Sequence, residues 1–251
     1  MAGKRKKRDH GLRGSRPAGY ELHHGMERGD GFQDPFQDSA GGGEKRRVDV
    51  MRKNKMLPEH VVDKLKYFNS SKYIVENGKV ELKEKKKEGK VHLICKLKNC
   101  TLIFNDPEKN TLPYLDENIK YAKSCPDKFL FELDLDDKWI LHVMEFKKTI
   151  NTSTIAKSKR QFVMGIYNAR ALAAFLNIEI KEVRIYSAYR KDEIEGKSLI
   201  QMRSANCDPE ALCIMKDWND GICNLNIDLN KIKFEHNKIK LNQYGNGMCE
   251  L

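Results

Sequence analysis

PDKFLFELDLDDKWILHVMEFK, residues 126–147, is the stretch from which the fold is read. Phe129, Phe131, Leu133 and Leu135 recur at every second position, as do Trp139, Leu141 and Val143. A period of two marks a strand with one face turned to a core, and Asp136-Asp137-Lys138 between the runs is turn chemistry, so the segment predicts a β-hairpin. A three-residue turn centred on Asp137 pairs Leu135 with Trp139, Leu133 with Leu141 and Phe131 with Val143. Continued, the same ladder sets Phe129 opposite Glu145 and Asp127 opposite Lys147. Directly opposed residues share a face. One face is therefore apolar and then ends in Asp127, Glu145 and Lys147, which do not suit it unless something compensates their burial. The other face is mixed: Lys128, Leu130, Glu132 and Asp134 against Ile140, His142, Met144 and Phe146.

Two carboxylates and an ammonium at the open end of a strand pair carry a definite chemistry. Asp127 and Glu145 are hard oxygen ligands suited to Mg2+ or Mn2+. The backbone carbonyl of Phe146, between Glu145 and Lys147, is a further candidate ligand. A metal held there activates water and neutralises phosphate charge, and Lys147 is placed to orient that water and offset charge in the transition state. If the register differs, Asp134 is the substitute for Asp127.

Working outward, Pro58 opens a short helix carrying Val61, Val62, Leu65 and Phe68. Lys72–Val75 and Lys79–Leu82 flank Asn77-Gly78, a hairpin signal. Val91–Phe104 has strand composition, and Pro113–Ser124 is expected to hold a short helix with Leu115, Ile119 and Ala122. After the hairpin, Ile155, Phe162, Ile166, Ala169, Ala173 and Leu176 form a helical stripe predicting a helix from about Ser153 to Leu176. Glu179–Tyr189 alternates as a strand, with Val183, Ile185 and Ser187 on one face. Beyond it, Asn224–Leu229 and Ile232–Leu241 suggest short strands, with His236-Asn237 as a turn. The expected organisation is a disordered basic segment over 1–50, an α/β domain over 51–190 with a mixed sheet flanked by helices, and a small C-terminal extension over 191–251.

Pro126-Asp127, seventeen residues, then Glu145-Phe146-Lys147 matches the PD-(D/E)XK signature literally. The order strand, hairpin strand, long helix, strand also resembles the αβββαβ core of restriction-endonuclease-like nucleases. The resemblance covers about residues 58–190 and singles out no family within that superfamily. It implies metal-dependent hydrolysis of phosphodiester bonds in DNA, in a restriction, defence or repair role. Asp127 and Glu145 would bind the metal and Lys147 would assist the water. Many members add an acid from the first helix, for which Glu59 and then Glu117 are the candidates. Two alternatives stay open. One is an RNA endonuclease of the same superfamily, where His92 or His60 would have to serve as a further ligand. The other is a non-catalytic nucleic-acid-binding or regulatory module on the same fold.

Charge agrees with a polyanionic partner. Lys and Arg total 47 against 36 Asp and Glu, a net charge of +11. From Lys147 through Arg160 there is no acid, and Lys148, Lys157, Lys159, Arg160 and Gln161 are the expected nucleic-acid contacts at the start of the long helix. Lys4–Arg8 reads as a solvated basic tail, or as a nuclear-import tract. Seven cysteines without a CxxC pair read as reduced thiols of a cytosolic-type compartment, and the spacing of Cys207, Cys213, Cys223 and His236 matches no common zinc site. No apolar run is long enough to span a membrane, and no secretory signal is visible. The expected location is a prokaryotic or viral-host cytoplasm, or the nucleus if the basic tract directs import. Cleavage of both strands would call for a homodimer.

Overall fold

Among the described residues, ten strands build two sheets, of seven and three strands, with three helices. The structure is a computed structural model that describes residues 57–84, 90–116, 118–195 and 208–251. The expectations for residues 1–50, Glu117 and Cys207 lie outside these.

The chain runs α1 (Glu59–Leu65), β1 (Tyr73–Glu76), β2 (Lys79–Glu84), β3 (Val91–Lys96), β4 (Thr101–Phe104), β5 (Lys128–Leu133), β6 (Trp139–Ile150) and α2 (Thr152–Leu176). It continues through β7 (Ile180–Asp192), α3 (Pro209–Asn219), β8 (Ile222–Ile227), β9 (Asn230–Lys240) and β10 (Asn246–Glu250). The large sheet has the order β1-β4-β5-β6-β7-β9-β8, and the small one β10-β3-β2. Pairing is antiparallel from β1 to β6, parallel through β6-β7-β9, and antiparallel again at β8-β9.

The hairpin forms, with a five-residue connection in place of three. Leu133, not Leu135, pairs with Trp139, and Phe129 pairs with Val143. Leu135 is 79% exposed. Asp136 and Asp137 both adopt left-handed φ, 67° and 56°, and the Asp134 N–H donates to the Lys138 carbonyl at 2.7 Å to close the turn. Aspartate tolerates that conformation better than most residues. The register therefore slips by two, which keeps every side chain on its expected face because the side-chain period is also two. Continued past Lys128, the observed register sets Asp127 level with Glu145 instead of Lys147.

The faces of the large sheet are covered by different partners. Phe129, Phe131, Leu141, Val143 and Ile185 pack with α1 and α2 in one core. All six residues of the predicted α2 stripe are buried. Leu130, Met144, Phe146 and Tyr186 pack on the other face against Val80, Leu82 and Leu93 of the small sheet. α3 adds a third cluster of Ile214, Met215 and Trp218 against Ile150, Ile155 and Tyr189.

Asn77-Gly78 does turn the chain, with Gly78 at φ 78°, but β1 and β2 do not pair with each other. β1 buries Tyr73 and Val75 in the helical core, and β2 buries Val80 and Leu82 in the small-sheet core. Each strand takes the partner that its apolar face requires. Pro113–Ser124 holds no helix among its described residues; it is a chain of single turns. The Asp116 side chain accepts from the Asn118 N–H, and Tyr121 sits at φ 73°, which α-helical backbone does not allow. His236-Asn237 is not a turn. β9 runs straight through it, and the chain reverses at Asp228 and Leu229, both at positive φ. The C-terminal segment supplies β8 and β9 to the large sheet and β10 to the small one.

Candidate active site

β5 begins one residue after Asp127, while β6 continues past Glu145 and Lys147 to Ile150. The stagger leaves Asp127 at the open end of the ladder beside two odd-numbered β6 positions, on the face that packs against α2. Pro126 seats this corner. A Cβ added to Gly165, in the middle of α2, would lie 2.4 Å from the Pro126 ring. Glycine inside a helix costs about 1 kcal/mol relative to alanine, and its role here is to let the Pro126-Asp127 backbone approach the helix.

The three predicted residues come together. The Asp127 N–H donates to Glu145 Oε2 at 3.2 Å, and the Phe146 N–H donates to Asp127 Oδ2 at 2.8 Å. Lys147 Nζ is ion-paired with Glu145 Oε1 and donates to Gln161 Oε1 at 3.1 Å. Gln161 Nε2 donates in turn to the Cys125 carbonyl at 3.1 Å. Asp127 and Glu145 are buried, at 8% and 2% exposure, and the Lys147 side chain is 13% exposed. Burial pushes the Glu145 carboxyl up to about 7, the neighbouring Asp127 carboxylate adds to the rise, and Lys147 opposes it.

The expected nucleic-acid contacts divide. Lys148, Lys157 and Arg160 are exposed. Lys159 is ion-paired with Asp217 of α3 at 3.0 Å. Gln161 is half-buried and its carboxamide is bonded to Lys147. Asp134, the substitute considered for Asp127, is ion-paired with Lys181 at the opposite end of the hairpin. Glu59 and His60 stand exposed on α1, and His92 contacts Glu81 at 3.1 Å on the small sheet. Cys213 is exposed, while Cys223 and His236 are buried. Among the described residues no group of three or more His, Cys, Asp or Glu is placed to hold a metal ion.

A polar trio and a polar pair escaped sequence reasoning. On the small-sheet face, His142 Nε2 lies 2.9 Å from Glu132 Oε2, and His142 Nδ1 lies 3.1 Å from the Tyr186 hydroxyl, all three buried. Burial pushes Glu132 upward, but bonds from His142 and the Asn99 N–H outweigh it and hold the carboxyl below its usual range. Next to Glu145, the β7 residue Ser187 shares a 2.9 Å hydrogen bond with His236 Nε2. Alternation sets Glu132 and His142 on one face of the hairpin, but Tyr186, and the pairing of Ser187 with His236, depend on strands that no local pattern brings together.

In comparisons with known proteins, no family model, curated protein or solved structure matches the chain. Among the described residues no helix is long and apolar enough to cross a membrane.

Proposed function

We propose that the protein is a divalent-metal-dependent endonuclease that hydrolyses phosphodiester bonds in nucleic acid, DNA in preference to RNA. One observation carries the reading: two buried carboxylates share the open end of a hairpin, with an ammonium on the same face. Burial first, and the Asp127 carboxylate second, push the Glu145 carboxyl up to about 7 against the opposing Lys147 ammonium, and a bound cation would favour its ionised form. The donor set fits the group. Asp127 and Glu145 offer hard oxygen atoms, and the Phe146 N–H is turned toward Asp127, the same strand side as its carbonyl. A bound Mg2+ or Mn2+ would supply Lewis acidity toward phosphate oxygen and toward water. Lys147, positioned by Gln161, would orient the attacking water and offset charge that develops in the transition state.

The element order supports the same reading. α1, the antiparallel β4-β5-β6, the long α2 and a β7 parallel to β6 follow the order of the restriction-endonuclease-like core. Concerted cleavage of both strands of a duplex would use two such sites, as a homodimer would supply.

The non-catalytic alternative also has an observation behind it. Glu145, Lys147, Gln161 and the Cys125 carbonyl form an unbroken chain of bonds, as a structural ion cluster would. Incubation with plasmid, single-stranded DNA and RNA, each with Mg2+, Mn2+ or EDTA, separates the readings. The proposal expects metal-dependent cleavage of DNA. Cleavage of RNA alone selects the RNA endonuclease, and binding without turnover under every condition selects the non-catalytic module.

A further inference from the structure

A cavity of about 750 Å3 lies between residues 119–122, α2, α3 and β8. Its size falls in the range of small-molecule and cofactor pockets. The lining is apolar at Val163, Met164, Ile214 and Leu225, and cationic at Lys120, Lys159, Arg160 and Lys231. Lys159 is occupied by Asp217, which leaves three cations against Glu210. Such a cavity suits a ligand that is apolar in its body and anionic at its edge.

Two further observations narrow the class. Tyr121 stands in the lining at φ 73°, a conformation that an aromatic residue rarely adopts, with 39% of its surface exposed. Two cations lie over its ring: the Arg160 guanidinium is 4.1 Å from the centroid and Lys120 Nζ 5.0 Å. Exposed aromatic rings with interleaved cations are how proteins hold unpaired bases and the phosphates between them. Arg160 also directly precedes Gln161, which bonds both Lys147 and the Cys125 carbonyl. One turn of α2 therefore serves the cavity and the carboxylate site alike.

We infer that this cavity is a nucleotide slot, taking an unpaired base of a nucleic-acid strand whose phosphates lie along Lys120, Arg160 and Lys231. The substrate of the neighbouring site is then a single strand, or a duplex with one nucleotide drawn out of the stack. An intact duplex keeps its bases stacked and cannot fill a concave apolar space. The inference rests on the nuclease reading for its substrate class, but binding can be measured without cleavage.

The test uses the full chain in EDTA, with fluorescence anisotropy of a labelled short DNA single strand and of the duplex made from it. The single strand is expected to bind more tightly. Tyr121→Ala should weaken single-strand binding by about tenfold, and Tyr121→Phe should retain it. Lys231→Glu should weaken it as well. Asn226→Trp, a change at an exposed lining position, should block it by filling the cavity. Melting temperature reports that each variant is folded. Equal affinity for strand and duplex, unmoved by any of these changes, would overturn the slot. So would displacement of an apolar dye by oleate but not by the single strand, which would assign the cavity to anionic amphiphiles. If cleavage is never seen but slot-dependent binding is, the nuclease reading fails and the slot stands. Cleavage with binding blind to all the variants gives the reverse.

Discussion

Lys147 is held between a carboxylate and a carboxamide, and the two partners have separable roles. Glu145 offsets its charge, and Gln161 fixes its direction. In the proposed reaction, Lys147→Ala should reduce kcat by about 10^2–10^3, as loss of a charge-stabilising donor does, and change the substrate Kd little. Gln161→Ala leaves the ammonium present but loosely aimed, so its loss in kcat should be smaller and Gln161→Glu should recover part of it. Single-turnover rates and binding measured on the three variants check this. An equal loss in Kd would mean that the lysine grips substrate in the ground state. His236 yields a prediction that is independent of catalysis. Burial holds its imidazole down at about 3, with Lys238 and Lys159 adding to the effect. The unfolded chain takes up a proton below pH 6.5 while the folded one does not, so stability falls as pH drops from 6.5 toward 3. At pH 5 this site alone should cost about 2 kcal/mol. Melting curves of wild type and His236→Gln from pH 7 to 5 should diverge in slope; parallel slopes would mean that His236 is not buried as a neutral base. The trio was legible in sequence because strand parity is robust: a slip of two residues leaves Asp127, Glu145 and Lys147 on one face. The bonds from Gln161 to Lys147 and the Cys125 carbonyl were not legible, because the direction of that side chain depends on how α2 is rotated against the sheet, which no strand pattern encodes.

At the scale of elements, Gly165 joins helix to hairpin. Gly165→Ala would gain about 1 kcal/mol of helix propensity but drive a Cβ into the Pro126 ring, and overpacking of this kind costs about 1–3 kcal/mol. A proline ring cannot swing aside, so the clash should win. The variant should melt below wild type and lose activity out of proportion to its stability, because Asp127 follows Pro126. A variant more stable than wild type and fully active would show that the approach of loop and helix is not tight. α2 was legible nearly to its ends. Its six-residue stripe is buried, and its start is fixed by a capping box in which Asn151 accepts from the Thr154 N–H at 2.9 Å and the Asn151 N–H donates to Thr154 Oγ1 at 2.9 Å. The strands were located better than they were paired. Asn77-Gly78 is a sound turn signal, yet it joins two sheets, since pairing is decided by which core each apolar face enters. The expected helix over 113–124 failed because Tyr121 takes a left-handed backbone, and composition carries no sign of that.

Across the whole molecule, the hairpin is buried on both faces, by helices on one side and the small sheet on the other. That sheet is completed from the far end of the chain: β10 pairs parallel with β3, and Leu251 is 2% exposed. Removing residues 246–251 would expose Leu93 and Cys95 and leave the edge of β3 unpaired. The truncated protein should melt well below wild type and bind hydrophobic dye; an unchanged melting temperature would mean that β10 contributes little to the fold. This arrangement was not legible in advance. Pairing of β10 with β3 joins residues more than 150 positions apart, Cys249 and Cys95 among them, and long-range parallel pairing leaves no local trace. The central claim concerns the carboxylate pair and is tested most directly by plasmid cleavage with wild type, Asp127→Ala and Glu145→Ala, each with Mg2+ and with EDTA. The account predicts that wild type cuts only with Mg2+, and that both variants are folded and inert. Cleavage that survives in either variant, or that proceeds in EDTA, would contradict it.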